Sequence, residues 1–107
     1  MIIVPSADRP DVFAVNVFGV RPENQRPLVD CIRDAGDHAD IPGLLSMHLL
    51  CSKDGRQVTN LMHWASREAL DAATAANPVI AAARTAIRRF VEGNGPLPHE
   101  VVEVRSG

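Results

Sequence analysis

The chain has no tyrosine, one tryptophan and three phenylalanines in 107 residues, so aromatic side chains make up only 4 % of it. Cysteine is equally scarce. Cys31 and Cys51 are too few for a disulfide framework and lack CxxC spacing, so they read as reduced thiols of a cytoplasmic protein. No stretch approaches the ~20 apolar residues of a membrane-spanning helix. The apolar start Met1-Ile2-Ile3-Val4-Pro5 is too short for a secretory signal, and Asp8, Arg9 and Asp11 follow at once. Neither charge sign dominates: 11 Lys and Arg face 13 Asp and Glu, giving a net charge of −2 with no block of like charge. Nucleic acid and anionic membranes both call for a basic patch, so neither is expected as a partner. There is no P-loop or GxGxxG, which counts against a nucleotide cofactor. No carboxylates pair closely on an apolar face, so glycosidase-type acid–base chemistry has no support.

What is present is an ordinary globular composition, 46 % apolar and 22 % charged. A length of 107 residues fits one domain, 1–107, that buries a core without staples. Residues 1–11 read as an N-terminal arm, polar from Ser6 onward. Phe13 to Val20 is a strand by its β-branched and aromatic content, apolar on both faces. A helix opens at Arg21-Pro22 and carries Leu28, Ile32, Ala35 and Ala39 at helical spacing until Pro42-Gly43. A strand from about Leu44 to Ser52 is joined to strand 57–64 by Asp54-Gly55, a type I′ hairpin signature. Ser66 caps a short helix reaching Ala75, and Asn77-Pro78 opens another running to about Val91. His99 to Val104 is expected as a last strand. The order β-α-β-β-α-(α)-β is the α+β, ferredoxin-like split βαβ plan, an antiparallel sheet with helices on one face.

Asn60 and Trp64 fall on one face of strand 58–64, together with Val58 and Met62. A buried amide and an indole N–H both need partners, so two polar tips on an apolar wall point to a lined pocket. The alternative is that Trp64 anchors the core and Asn60 caps a loop. The hairpin register places Leu49 opposite Asn60 and Leu45 opposite Trp64, which adds Leu45, Met47, Leu49 and Cys51 to the same face. Arg84 lies at the border of the last helix's apolar stripe. There it either snorkels or turns a permanent cation into the space between helix and sheet.

The four histidines do not form a metal site. His48 and His63 fall diagonally on the opposite sheet face without a third ligand at suitable spacing, and they read as interface residues. His38 and His99 read as surface or strand-edge residues. Cys51 has no His or Asp partner of matching parity, so a nucleophilic dyad is not supported.

The pattern Pro42-Gly43-Leu44-Leu45-Ser46, the Asp54-Gly55 hairpin, Asn60-x-x-x-Trp64-x-Ser66, and Asn77-Pro78 followed by Arg84 resembles the antibiotic biosynthesis monooxygenase family. The resemblance covers about Asp11 to Val104 and implies a dimeric α+β barrel. The Asn60/Trp64/Arg84 spacing is similar to the cofactor-independent anthrone oxygenases of aromatic polyketide pathways. It implies that Asn60 and Trp64 bind a substrate carbonyl and assist protonation of a peroxy intermediate, with Arg84 in the same cavity. Relatives place a tyrosine six residues after the tryptophan, where this chain has Leu70. A haem-degrading branch shares Asn16, but its other two positions align near Ala73 and Ala83, so that chemistry is not expected.

The reading is an oxygenase that converts a polycyclic phenolic, anthrone-like or quinol substrate to a quinone with O₂, without metal or flavin. Asn60, Trp64 and Arg84 are its candidate catalytic residues. Asn16, Leu45, Met47, Leu49, Met62 and Leu70 are its candidate substrate-binding residues. The expected partners are a small aromatic molecule, O₂ and a second copy of the chain, joined through the face carrying Leu44, Ser46, His48, Leu50, Leu61 and His63. A non-catalytic or stress-associated binding barrel is the alternative of another class, and a different activity of the same family, such as quinol oxidation, is a third.

Overall fold

The computed structural model describes residues 1–93 and 95–104. Strands β1 (Ile2–Pro5), β2 (Val12–Gly19), β3 (Leu44–Cys51) and β4 (Gln57–Trp64) form one antiparallel sheet in the order β1-β2-β4-β3. Helix α1 (Gln25–Arg33) joins β2 to β3, and α2 (Arg67–Ala76) and α3 (Pro78–Phe90) follow β4. The architecture is α+β and ferredoxin-like. Helices cover one sheet face because side chains alternate along the strands: Val12, Ala14, Asn16 and Phe18 on β2 and Val58, Asn60, Met62 and Trp64 on β4 are buried, while the residues between them are half-exposed.

Local sequence sets the helix starts. Ser66 Oγ accepts from the Ala69 N–H at 3.1 Å, and Asn77 Oδ1 accepts from the Val79 N–H at 2.9 Å with Pro78 directly behind it. Gln25, buried at the start of α1, donates from Nε2 to the carbonyls of Ser52 and Gln57 at 2.9 and 3.0 Å, which ties the helix to the base of the β3–β4 hairpin. One apolar cluster gathers Trp64, Met62, Val12, Ile41 and Leu70. A second gathers Val20, Leu28, Ile32, Val58 and Ala83. Along the strands, Asn16 and Asn60 fall between the two clusters, paired with each other across β2 and β4.

Four features differ from the sequence reading. Residues 99–104 form no strand. The N-terminal half of the β2 edge is taken by β1, and the other half by the chain after α3, where Glu92 N–H donates to Gly19 O at 2.8 Å and Leu97 N–H to Val17 O at 2.6 Å. A segment only a short loop away from β2 closes onto that edge at low entropic cost, and it leaves no place for a C-terminal strand. Helix α1 ends at Arg33, and a separate 3₁₀ turn spans His38–Asp40. Between them Gly36 runs so close to α3 that a Cβ there would lie 2.6 Å from Val79 Cγ2, an approach a continuing helix could not make. The hairpin is not type I′, because only Gly55 has positive φ; the loop is closed by Ser52 N–H to Gln57 O at 3.1 Å and by Ser52 Oγ to Asp54 at 2.7 Å.

The fourth difference bears on the site. The register places Leu49 opposite Asn60, but it shifts between Leu44 and Ser46, so that Leu44 rather than Leu45 pairs with Trp64. This bulge turns Leu44 inward against the Trp64 cluster and expels Leu45, which is 57 % exposed.

On the outer face, the His63 imidazole donates to Asp11 Oδ2 at 2.6 Å and stacks on Phe13, with ring centroids 4.3 Å apart. The His63 hydrogen bond holds the Asp11 carboxyl below its ordinary 3.8, against the opposing effect of burial. A depressed folded-state value means that the stabilisation is present above the unfolded value and is lost as pH falls through the lower folded one. Asp11→Asn should therefore melt below the parent at neutral pH, with the gap narrowing as pH falls below 3.8. Thermal melts across the acid range check this, and a pH-independent gap contradicts it.

Candidate functional site

A cavity of about 350 Å³ opens between the sheet and its own helices. It lies within the usual size of small-molecule sites, about 300–1,000 Å³. Its floor is the inner face of β2 and β4, with Asn16, Phe18, Asn60, Met62 and Trp64, joined by Met47 of β3. Leu70 and Thr74 of α2 and Ile80, Ala83, Arg84, Ile87 and Arg88 of α3 form the opposite wall. The lining is predominantly apolar, so each polar atom on it is conspicuous.

Two of those atoms belong to the residues that the alternation of β4 singled out. Trp64 is fully buried, and its Nε1–H has no hydrogen-bond partner among the described residues. Asn60 is 7 % exposed, and its Oδ1 is enclosed and likewise unpaired. An enclosed donor and an enclosed acceptor left unpaired each cost about 1–3 kcal/mol relative to a satisfied group. Their positions are local consequences of the strand: Trp64 ends β4 under the bulge, and Asn60 faces Asn16 of β2 on one side and Leu49 of β3 on the other. A ligand presenting a carbonyl or phenolate oxygen to the indole, and a hydroxyl to the amide, would satisfy both.

Arg84 stands at the rim. It is exposed, and its Nη2 donates to the Thr74 carbonyl at 3.3 Å, with Arg88 one turn further along α3. The cations therefore lie at the mouth rather than in the depth of the cavity, where water screens them but where they still favour an anionic group on an entering molecule.

Seven of the residues singled out in the sequence thus meet in one cavity: Asn16, Met47, Asn60, Met62, Trp64, Leu70 and Arg84. Two do not. Leu45 is turned to the outer face by the bulge, and Leu49 packs against the second apolar cluster. His38, expected at the surface or a strand edge, is half-buried: it lines the cavity from the 3₁₀ turn, with its Nε2 enclosed and without a hydrogen-bond partner among the described residues. Periodicity cannot reveal a residue on an irregular turn; the one sequence hint is its place between Gly36 and Pro42-Gly43. The structure also adds Phe18, Thr74, Ile80, Ile87 and Arg88 to the lining.

Leu70 is 1 % exposed and belongs both to the Trp64 cluster and to the cavity wall. Leu70→Ala should cost about 2–5 kcal/mol of stability while enlarging the cavity beside Trp64. Chemical denaturation reads the cost, and a loss below about 1 kcal/mol would place Leu70 outside the packed core.

The sequence pattern of the antibiotic biosynthesis monooxygenase family matches residues 11–91. Tetracenomycin-F1 monooxygenase of Streptomyces glaucescens is 43 % identical over an alignment of 60 residues that covers 53 % of this chain and 54 % of that protein. The match thus spans about half the length of that curated relative. Among solved structures, a candidate antibiotic biosynthesis monooxygenase of Caulobacter crescentus superposes with a TM-score of 0.70 at 22 % identity, covering 89 % of this chain and 92 % of that one. SnoaB, a cofactor-independent oxygenase of Streptomyces nogalater, superposes with a TM-score of 0.63 at 22 % identity, covering 89 % and 97 %. At such identities the superpositions speak for the fold, while the family pattern spans β2, β3, β4, α2 and α3, the five elements from which the floor and wall of the cavity are built. With the cavity's place between sheet and helices, these findings show that the chain belongs to the antibiotic biosynthesis monooxygenase family.

Proposed function

We propose that the chain is a cofactor-independent monooxygenase that oxidises a polycyclic phenolic, anthrone-like or quinol substrate to a quinone with O₂. The observation that carries this reading is the pairing of unsatisfied Trp64 Nε1 and Asn60 Oδ1 inside an otherwise apolar cavity. Such rings ionise readily and pass electrons to O₂ themselves, so the protein need only exclude water, orient the rings and stabilise the oxygen on which charge develops. For an anthrone the balance is complete without an external reductant. A ring methylene becomes a carbonyl, one oxygen atom enters the substrate, the other leaves as water, and all the electrons come from the substrate.

In this reading the Trp64 indole donates to the substrate oxygen or to the peroxy group formed on it. Asn60 accepts from a neighbouring hydroxyl, and Arg84 at the rim favours the anionic form on entry. Asn16, Met47, Met62 and Leu70 shape the space around the rings. The names of the relatives, a tetracenomycin-F1 monooxygenase and a cofactor-independent oxygenase, support the reaction class. The cytoplasm is the proposed location, in keeping with two unpaired thiols.

Asn60→Ala should fold and should lower O₂ uptake with anthrone substrates by about 10²-fold or more. Trp64→Phe should match that loss if the indole N–H takes part and fall short of it if the ring only stacks. Parent-like turnover by Asn60→Ala would remove Asn60 from the reaction. Saturable binding of such substrates without any O₂ uptake by the parent would instead identify a binding module.

We also propose a homodimer, formed through the outer sheet face. Phe13, Val15 and Val17 are only half-buried there, and Leu45 and Leu50 are 57 % and 50 % exposed, a contiguous apolar surface unusual for a monomer. The bulge revises the face by adding Leu45 and withdrawing Leu44. Light scattering at micromolar concentration should give twice the chain mass, and Leu50→Lys should shift it toward the monomer; a monomeric parent contradicts the proposal.

A further inference from the structure

Trp64 and Asn60 are matched by a third enclosed, unpaired polar atom on the same cavity, His38 Nε2. The oxygenation proposed above begins only when its substrate loses a proton, and the cavity offers few ways to take one. The amides, hydroxyl and indole of Asn16, Asn60, Thr74 and Trp64 are not bases, and the guanidinium groups of Arg84 and Arg88 have no acceptor atom. Among the described side chains lining the cavity, His38 carries the one imidazole, the group that most often serves as a general base.

The turn that carries it is held on both sides. Upstream, Gly36 lies against Val79, where a Cβ would come within 2.6 Å; downstream, Gly43 lies against Ala69, where a Cβ would come within 2.4 Å. Within the turn, Asp37 Oδ1 accepts from the Ala39 N–H at 2.9 Å, the His38 carbonyl accepts from the Ile41 N–H at 3.2 Å, and Ile41 is 2 % exposed. A base held by close packing on two helices is preorganised, as proton transfer requires.

We propose that His38 is the base of this cavity: its Nε2 takes the proton from a bound phenolic or anthrone-like substrate, and the electron pair stays on the ring system that then meets O₂. The inference rests on the oxygenase reading of the same cavity. The proton moves from substrate to imidazole, and the imidazolium so formed sits beside the new anion and stabilises it. Trp64 and Asn60 remain as donor and acceptor for the substrate oxygens, so the three unpaired atoms divide proton removal, oxygen recognition and hydroxyl recognition among them. The charged groups on the turn of His38 are Asp37 and Asp40, and Met1, Arg84 and Arg88 share the cavity lining with it.

The full chain is tested with dithranol, a dihydroxyanthrone, and with the dihydroxyanthraquinone it yields. O₂ uptake by the parent tests the oxygenation itself. His38→Gln, which forms hydrogen bonds but takes no proton, should bind the anthraquinone as tightly as the parent, lose about 10²-fold in kcat, and lose the acidic limb of the kcat/KM profile. His38→Ala should recover turnover with added imidazole in proportion to its unprotonated form, a rescue that a merely packing role would not show. The second readout needs no turnover. The anthraquinone changes colour as its phenol ionises, and the bound dye should ionise at lower pH in the parent than in His38→Gln. If the parent takes up O₂, unchanged kcat in His38→Gln overturns the proposal. If the parent takes up none, oxygenation fails for this substrate class, and the dye decides His38 by itself: equal ionisation in parent and variant overturns its role as a base.

Discussion

The central strand β4 bears two demands that pull against each other, and the arrangement around it follows from how they are met. Its inner face must be dry enough to bury Val58, Met62 and Trp64, yet the same alternation places the amide of Asn60 among them. A one-residue slip would exchange this face for Thr59, Leu61 and His63, so the register with β2 and β3 is strongly specified. The conflict is resolved by a gap. Apolar clusters form at the two ends of the face, around Trp64 and around Val58, and the sheet between them is left uncovered as a cavity. The site is therefore the part of the core that the polar residue kept from closing.

That origin also accounts for the polar atoms left on the cavity wall. Packed cores satisfy their buried polar atoms, and exceptions ask for a reason. Here three enclosed atoms without partners among the described residues, on Trp64, Asn60 and His38, line one space, and each comes from a different structural cause. Trp64 is held by burial in a cluster, Asn60 by the parity of its strand, and His38 by a turn wedged between α2 and α3 through two glycines. A preorganised set of donors and acceptors in a water-poor space is what oxygenation without a cofactor requires of a protein, since the substrate supplies the electrons. The chain has no tyrosine, and the part of the wall formed by Leu70 is apolar.

The bulge between Leu44 and Ser46 links the two faces of the sheet. It brings Leu44 against the Trp64 cluster and delivers Leu45 to the outer face. One inserted residue thus adds to the core on one side and enlarges the apolar surface on the other. The Pro42-Gly43 pair immediately upstream sets up this geometry, because Gly43 has positive φ and lies too close to Ala69 for any side chain.

The sequence by itself determined what depends on neighbours in the chain: the alternation that puts Asn60, Met62 and Trp64 on one face, the caps at Ser66 and Asn77, the hairpin register at Leu49 and Asn60, and the helical phase that sets Arg84 at the border of its apolar stripe. These follow from periods and hydrogen bonds spanning a few residues, and with the family resemblance, which supplied Leu70, they made the fold class and most of the cavity floor legible in advance. Only the tertiary structure decided what depends on competition between distant segments. The edge of β2 goes to Ile2–Pro5 and to the chain after α3 rather than to residues 99–104, because one row of backbone donors and acceptors is satisfied only once. The bulge ejects Leu45, and Leu49 is drawn into the second cluster. His38 enters the cavity because an irregular turn has no period to read, and its direction is set by Val79 and Ala69, more than twenty residues away in the chain.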